Sequence, residues 1–191
     1  MNIAVPNATL NYFPDFIEIN RQRSIYERLL NELDWQQEHI MLYGRSTPIP
    51  RLQAWYGDPN SNYAYSGLTM APQPWLAILT ELKMAVEQHC HCRFNAMLAN
   101  LYRDQSDSVA WHSDDEHELG DEPIIASLSF GDERNFQLKH KVSGEKLNIP
   151  LKTGSLLVMS GETQRYWQHC LPKTKRLKNA RINLTFRQIK K

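Results

Sequence analysis

A chain of 191 residues with 41% apolar content has the size of one domain and material for an ordinary core, and it holds no apolar run of about eighteen residues that would mark a membrane span. Three cysteines, an odd number, do not make a disulfide framework and fit free thiols in a reducing compartment. The formal net charge is only +1 but unevenly spread: acidic residues crowd positions 104–122, and after Glu162 every charged residue is basic. Such a one-sign tail attracts a polyanion such as nucleic acid, or is merely solvated surface.

The opening residues, MNIAVPNATLNYFPDF, lack a basic region followed by an apolar stretch and a cleavage site, so no secretion signal is expected. The expected location is the cytoplasm, or the nucleus in a eukaryote. Asp15 is placed to cap a helix running to about Asp34, with Ile25, Leu29, Leu30 and Leu33 on one stripe. Residues 41–72 carry Pro48, Pro50, Pro59 and Pro72 among Tyr43, Trp55, Tyr56, Tyr63 and Tyr65. They read as strands and loops, with a turn over Gly57-Asp58-Pro59-Asn60. A second helix starts near Pro74, with Leu76, Leu79, Leu82 and Val86 as its stripe.

From Asn95 the pattern becomes β. The expected strands are Asn95–Tyr102, Ile124–Phe130, Asn135–His140, Leu147–Leu151, Ser155–Ser160, Arg165–His169 and Arg181–Arg187. Short strands separated by Gly, Pro and Asp predict a jelly roll. The expected fold class is α+β: a double-stranded β-helix core with the two helices packed on one sheet, all in a single domain over residues 1–191.

Strand alternation organises the candidate chemistry. On a strand, His112 and Asp114 point one way, and Ser113 and Asp115 the other. With His169 they supply two imidazoles and a carboxylate, a set that covers one face of an octahedral iron(II) and leaves positions open for oxygen and a co-substrate. Arg181, Asn183, Thr185 and Arg187 share one face of the last strand, opposite Ile182, Leu184 and Phe186. Two arginines inside a small barrel need anions, and a dicarboxylate bound to iron at one end and to arginine at the other meets that need. The alternative is an edge strand with its arginines in water. Asn100 and Tyr102 share a face of the strand before His112, either as donors to the same co-substrate or as structural residues. His89-Cys90-His91-Cys92 is too tightly spaced at a helix end to close a zinc tetrahedron. Cys170, beside His169, has no assigned role.

These residues carry a resemblance. Asn100-Leu101-Tyr102, His112-Ser113-Asp114-Asp115-Glu116, the run Pro123–Gly131, His169 and Arg181–Arg187 are similar in order and spacing to the AlkB family of iron(II)- and 2-oxoglutarate-dependent dioxygenases. The similarity is strongest to the branch of the second and third human homologues. It extends upstream through Pro50-Arg51, Trp55-Tyr56-Gly57-Asp58 and Tyr63–Thr69, and covers roughly residues 40–189. The resemblance implies that His112, Asp114 and His169 bind iron and serve catalysis. It implies that Asn100, Tyr102, Arg181, Asn183, Thr185 and Arg187 hold 2-oxoglutarate, with Arg181 on its distal carboxylate. Tyr43, Gly44, Arg45, Tyr63, Tyr65, Asp115 and Glu116 are implied to be substrate-side. Residues of about 1–90 would form the helices and a nucleotide-recognition lid, and those of about 95–189 the catalytic core. Family members acting on duplex DNA carry an apolar wedge on a hairpin, where this chain has Tyr43-Gly44-Arg45.

The implied activity is oxidative demethylation of 1-methyladenine and 3-methylcytosine in DNA, with RNA as a further substrate, by a monomer without membrane attachment. Oxygen and 2-oxoglutarate are consumed, and succinate, carbon dioxide and formaldehyde are released. Two rivals stay open: a 2-oxoglutarate-dependent hydroxylase or demethylase of a protein or small molecule, and an inactive nucleic-acid-binding module. The aromatic segment and basic tail speak against the first, and the intact ligand set against the second.

Overall fold

The computed structural model describes residues 1–190 except Tyr43, Asn60, Asn62, Ser66 and Gly67, and only the backbone of Leu42, Tyr63–Tyr65 and Leu68–Met70. The expectations placed on Tyr43 and on the side chains of Tyr63 and Tyr65 therefore lie outside the described residues. In chain order the elements are β1 (Asn2–Ile3), β2 (Thr9–Phe13), α1 (Ile19–Glu32), β3 (His39–Leu42), β4 (Arg45–Pro48), β5 (Leu52–Gly57), β6 (Tyr63–Tyr65) and β7 (Leu68–Met70). Then follow α2 (Ala77–Cys90), β8 (Ala96–Tyr102), β9 (Val109–His112), β10 (Ile125–Gly131), β11 (Arg134–His140), β12 (Lys146–Leu151), β13 (Leu156–Ser160), α3 (Thr163–Tyr166), β14 (Trp167–Leu171) and β15 (Arg181–Arg187).

The strands form a seven-stranded antiparallel sheet in the order β1-β2-β13-β10-β15-β8-β5 and a four-stranded sheet in the order β12-β11-β14-β9. Two hairpins, β3–β4 and β6–β7, stand apart from both. This is the expected α+β jelly roll, and strand alternation explains its two cores. Met97, Ala99, Leu101, Ala126, Leu128, Phe130, Ile182, Leu184 and Phe186 face outward from the large sheet against Ile25 and Leu29 of α1 and Leu79, Leu82 and Val86 of α2. Each buried side chain of this size contributes about 1.5–3 kcal/mol, so this interface holds both helices on the sheet. A second cluster, including Leu98, Ile125, Phe136, Leu138, Leu157, Met159 and Trp167, fills the space between the sheets. β15 is a central strand between β10 and β8, so its polar face points into the barrel and not into water.

Several boundaries differ from the expectation. Asp15 does not cap α1: the helix begins at Ile19 after Glu18, without a side-chain cap bond. Residues before it dock first, because the buried Ile17 donates its N–H to the Gly154 carbonyl at 2.9 Å and its carbonyl accepts from Gln22 Nε2 at 2.8 Å. α2 starts at Ala77, later than Pro74 suggested. The strand expected at Arg165–His169 starts at Trp167, because residues 163–166 wind into the helical turn α3. β2 was not foreseen; only Leu10 and Tyr12 of its five residues are buried, which is too little alternation to read.

Candidate active site

Three adjacent strands of the large sheet line one wall. Arg181 pairs with Tyr102 and Asn183 with Asn100 across β15 and β8, while Asn183 pairs with Ser129 and Thr185 with Ser127 across β15 and β10. The small sheet supplies the other wall, where His112 on β9 lies directly opposite His169 on β14. Between the walls is a cavity lined among others by Arg51, Leu98, Phe136 and Met159 together with Asn100, Tyr102, His112, Ser127, His169, Arg181, Asn183 and Thr185.

The ligand atoms of His112, Asp114 and His169 all lie within 4.8 Å of one another. The His112 Nδ1–H donates to the Ala110 carbonyl at 2.8 Å, which leaves the Nε2 lone pair facing the Asp114 carboxylate at 4.0 Å. Burial, joined by the neighbouring His112, pushes His169 down to about 3. Burial lowers His112 as well. Burial alone would raise the Asp114 carboxyl, but Arg187, whose Nη2 donates to Oδ1 at 2.9 Å, together with His169 and His112 outweighs it, and the group sits at about 2. At neutral pH the cluster is therefore two neutral imidazoles and one carboxylate, which can offer three lone pairs to one cation. A divalent cation resolves that arrangement, so the residues fit iron(II).

Arg181 is 2% exposed, stacks over Tyr102 at 5.4 Å and donates from Nη2 to Ser129 Oγ at 2.9 Å. Burial lowers it to about 10, which leaves it cationic at neutral pH. Its Nε has no hydrogen-bond partner, and among the described residues no carboxylate pairs with it. A buried cation with an unmatched donor fits an incoming carboxylate. Asn183 donates to Ser127 Oγ at 2.7 Å and accepts from Thr185 Oγ1 at 2.9 Å, which fixes both side chains. Asn100 accepts from Arg51 Nε and Gln53 Nε2, both at 2.9 Å, so its carboxamide is oriented from behind.

The cavity thus gathers Asn100, Tyr102, His112, Asp114, His169, Arg181, Asn183, Thr185 and Arg187. Asp115 and Glu116 do not line it. They border a broad neighbouring depression with Lys141, and Asp115 is exposed. Gly44, at φ +76°, and the exposed Arg45 lie at the turn of the β3–β4 hairpin. The His89–Cys92 tract ends α2: His91 takes the left-handed cap and His89 packs edge-on against Phe13 at 4.3 Å. Burial pushes the Cys90 thiol up to about 12 and Cys170 up to about 11, so both stay protonated. Arg51, Gln53, Ser127, Ser129 and Gln164 were not singled out as site residues. Only the two serines left a local signal, through their alternation with Ala126, Leu128 and Phe130.

A jelly roll enclosing two histidines, an aspartate and a buried arginine defines an oxygenase of the iron(II) and 2-oxoglutarate class, and residues 9–187 match the model of the 2OG-Fe(II) oxygenase superfamily. The rat "Alpha-ketoglutarate-dependent dioxygenase alkB homolog 3" is 43% identical over 187 residues, 93% of this chain and 63% of the relative. The human "DNA oxidative demethylase ALKBH2" is 38% identical over 176 residues, 86% of this chain and 67% of the relative, and its mouse counterpart is 37% identical with 74% of its length covered. Among solved structures, "The structure of OsALKBH1" superposes with a TM-score of 0.68 at 17% identity, over 97% of this chain and 100% of that one, and shows the same fold. The chain belongs to the AlkB family of these oxygenases. It spans a little under two thirds of the alkB homolog 3 proteins, 63% in rat and 65% in human.

Proposed function

We propose that this chain is an iron(II)- and 2-oxoglutarate-dependent dioxygenase that demethylates 1-methyladenine and 3-methylcytosine in DNA, with RNA as a further substrate, and so repairs alkylation damage. The observation that carries the reading is the pairing, inside one cavity, of the His112–Asp114–His169 cluster with the carboxylate-free cation Arg181. The substrate class rests on the names of the relatives, which include a DNA oxidative demethylase. Two hairpins outside the jelly roll, at residues 39–48 and 63–70, support a nucleotide-recognition lid. Tyr43, Gly44, Arg45, Tyr63 and Tyr65 would contact the extruded base there, since an aromatic face stabilises an unstacked base by about 1–3 kcal/mol. Asp115 and Glu116 would act at its rim.

When bound, iron(II) and 2-oxoglutarate supply, with O2, the oxidising chemistry that converts an N-methyl group to formaldehyde and 2-oxoglutarate to succinate and carbon dioxide. His112, Asp114 and His169 would hold the metal from one side. Arg187 keeps Asp114 ionised and oriented. Arg181 would grip the distal carboxylate, with Asn100, Tyr102, Asn183 and Thr185 setting the rest of the co-substrate's pose. Phe136, 5.1 Å from the His169 ring, and Met159 make one flank of the site apolar.

The proposed catalytic unit is a monomer with one domain over residues 1–191. Among the described residues no helix is long and apolar enough to cross a membrane. The proposed nucleic-acid substrate supports a location in the cytoplasm, or in the nucleus of a eukaryote. The test is formaldehyde release from single- and double-stranded methylated DNA and RNA, beside methylated peptides and nucleosides. Release confined to peptides or nucleosides would favour a protein or small-molecule hydroxylase. Binding of oligonucleotides without release would favour an inactive binding module.

A further inference from the structure

β9 ends at His112, and the three residues that follow have no regular structure. The position of Asp114 is therefore not set by strand pairing. It is held instead at its backbone by Gln164 of α3 and at its carboxylate by Arg187. Ser113 Oγ donates to the Trp167 carbonyl at 3.0 Å. The Asp114 N–H donates to Gln164 Oε1 at 2.9 Å. Asp115 Oδ2 accepts at 3.2 Å from Lys141 Nζ, which also donates to the Gln164 carbonyl at 2.8 Å. Of these three consecutive residues Asp114 is bonded directly to α3, Ser113 to Trp167, the first residue of β14, and Asp115 only through Lys141.

Gln164 is the central anchor. It is 1% exposed, and its Nε2 lies 3.7 Å from Met159 Sδ, so the side chain has no freedom to swing away. A backbone donor requires the amide oxygen to face Asp114, which fixes the orientation of the carboxamide. The turn is itself braced from the N-terminal strand region. The Thr9 N–H donates to Thr163 Oγ1 at 3.0 Å, Thr163 Oγ1 donates to the Ser160 carbonyl at 2.6 Å, and Trp167 Nε1 donates to the Pro6 carbonyl at 2.9 Å.

We infer that Gln164 is a positioning residue for the metal: by holding the Asp114 backbone while Arg187 holds its carboxylate, it sets the direction in which the carboxylate presents its oxygen to the cation. This rests on the proposed ligand role of His112, Asp114 and His169. Outer partners of ligating groups tune metal affinity by about 10–100-fold.

The experiment titrates the metal-free full chain with Co(II), reading both affinity and the visible ligand-field bands, and records the melting temperature without metal. Gln164→Met keeps the packing volume and removes the acceptor. The expected result is Co(II) binding weakened about 10–100-fold, with altered bands. Ser113→Ala removes the adjacent anchor and spares the core, so it keeps the inference testable even if Gln164→Met does not fold; it should weaken binding about threefold. Wild-type affinity in both variants would overturn the inference while leaving the metal site intact. Weaker binding by Gln164→Met with unchanged bands would mean general loosening and would overturn it too. A wild-type protein that bound no Co(II), like His112→Ala, would overturn the ligand reading itself and the inference with it.

Discussion

Arg187 and Asp114 lie 2.9 Å apart, Nη2 to Oδ1, with 5% and 2% of their side-chain surfaces exposed. The pair joins the co-substrate wall of the large sheet to the metal cluster on the small one. Removing Arg187 leaves a buried carboxylate without its cation, a change that costs about 3–5 kcal/mol. Arg187→Met should lower the urea midpoint accordingly and move metal binding to higher pH, because the Asp114 carboxyl then rises from about 2. Equal midpoints for both proteins would contradict the role given to the pair.

The metal-free protein should lose stability as the medium becomes acidic. His169 sits at about 3 when folded, below its ordinary 6.5, so between these values the unfolded chain binds a proton that the folded chain refuses. Stability is full above about pH 6.5 and falls toward pH 3, with a slope approaching about 1.4 kcal/mol per pH unit for this one group. Asp114, at about 2 against an ordinary 3.8, adds a further loss below that. Urea unfolding at pH 7 and pH 4.5 measures the slope, and His169→Asn should flatten it.

Arg181→Lys keeps a charge but gives up the planar fork, the bond to Ser129 and the stacking on Tyr102. The KM for 2-oxoglutarate should rise at least about tenfold, with Co(II) affinity unchanged. An unchanged KM would place the distal carboxylate elsewhere.

The neighbouring aspartates should behave oppositely. Asp114→Ala should abolish Co(II) binding. Asp115→Ala, which loses only an exposed contact to Lys141, should bind Co(II) within about threefold of wild type.

Much of this was legible in the sequence where one strand carries both faces of the argument. β15 is central, and its bounds, Arg181–Arg187, and its alternation came directly from the residues. The structure gathers Asp114, and not Asp115, with His112 and His169, but for a reason the sequence does not carry: the strand stops at His112, and the Asp114 N–H is held by Gln164, fifty residues away. Arg51 and Gln53 were hidden likewise, because their meaning lies in converging on Asn100 across adjacent strands. The basic tail was partly misleading, since Arg181 and Arg187 are turned inward and add nothing to the surface charge. The Asp15 cap and the strand at residue 165 failed because tertiary docking, of Ile17 and of Thr163, overrode local preference.

The most direct measurement is turnover of a DNA oligonucleotide carrying one 1-methyladenine, with iron(II), 2-oxoglutarate and O2, following formaldehyde, succinate and the mass of the oligonucleotide together. The account predicts loss of the methyl group with one formaldehyde per lesion repaired, and no loss with His112→Ala or Asp114→Ala. Methyl loss that persisted in either variant, or an oligonucleotide unchanged by the wild-type protein while 2-oxoglutarate is consumed, would contradict it.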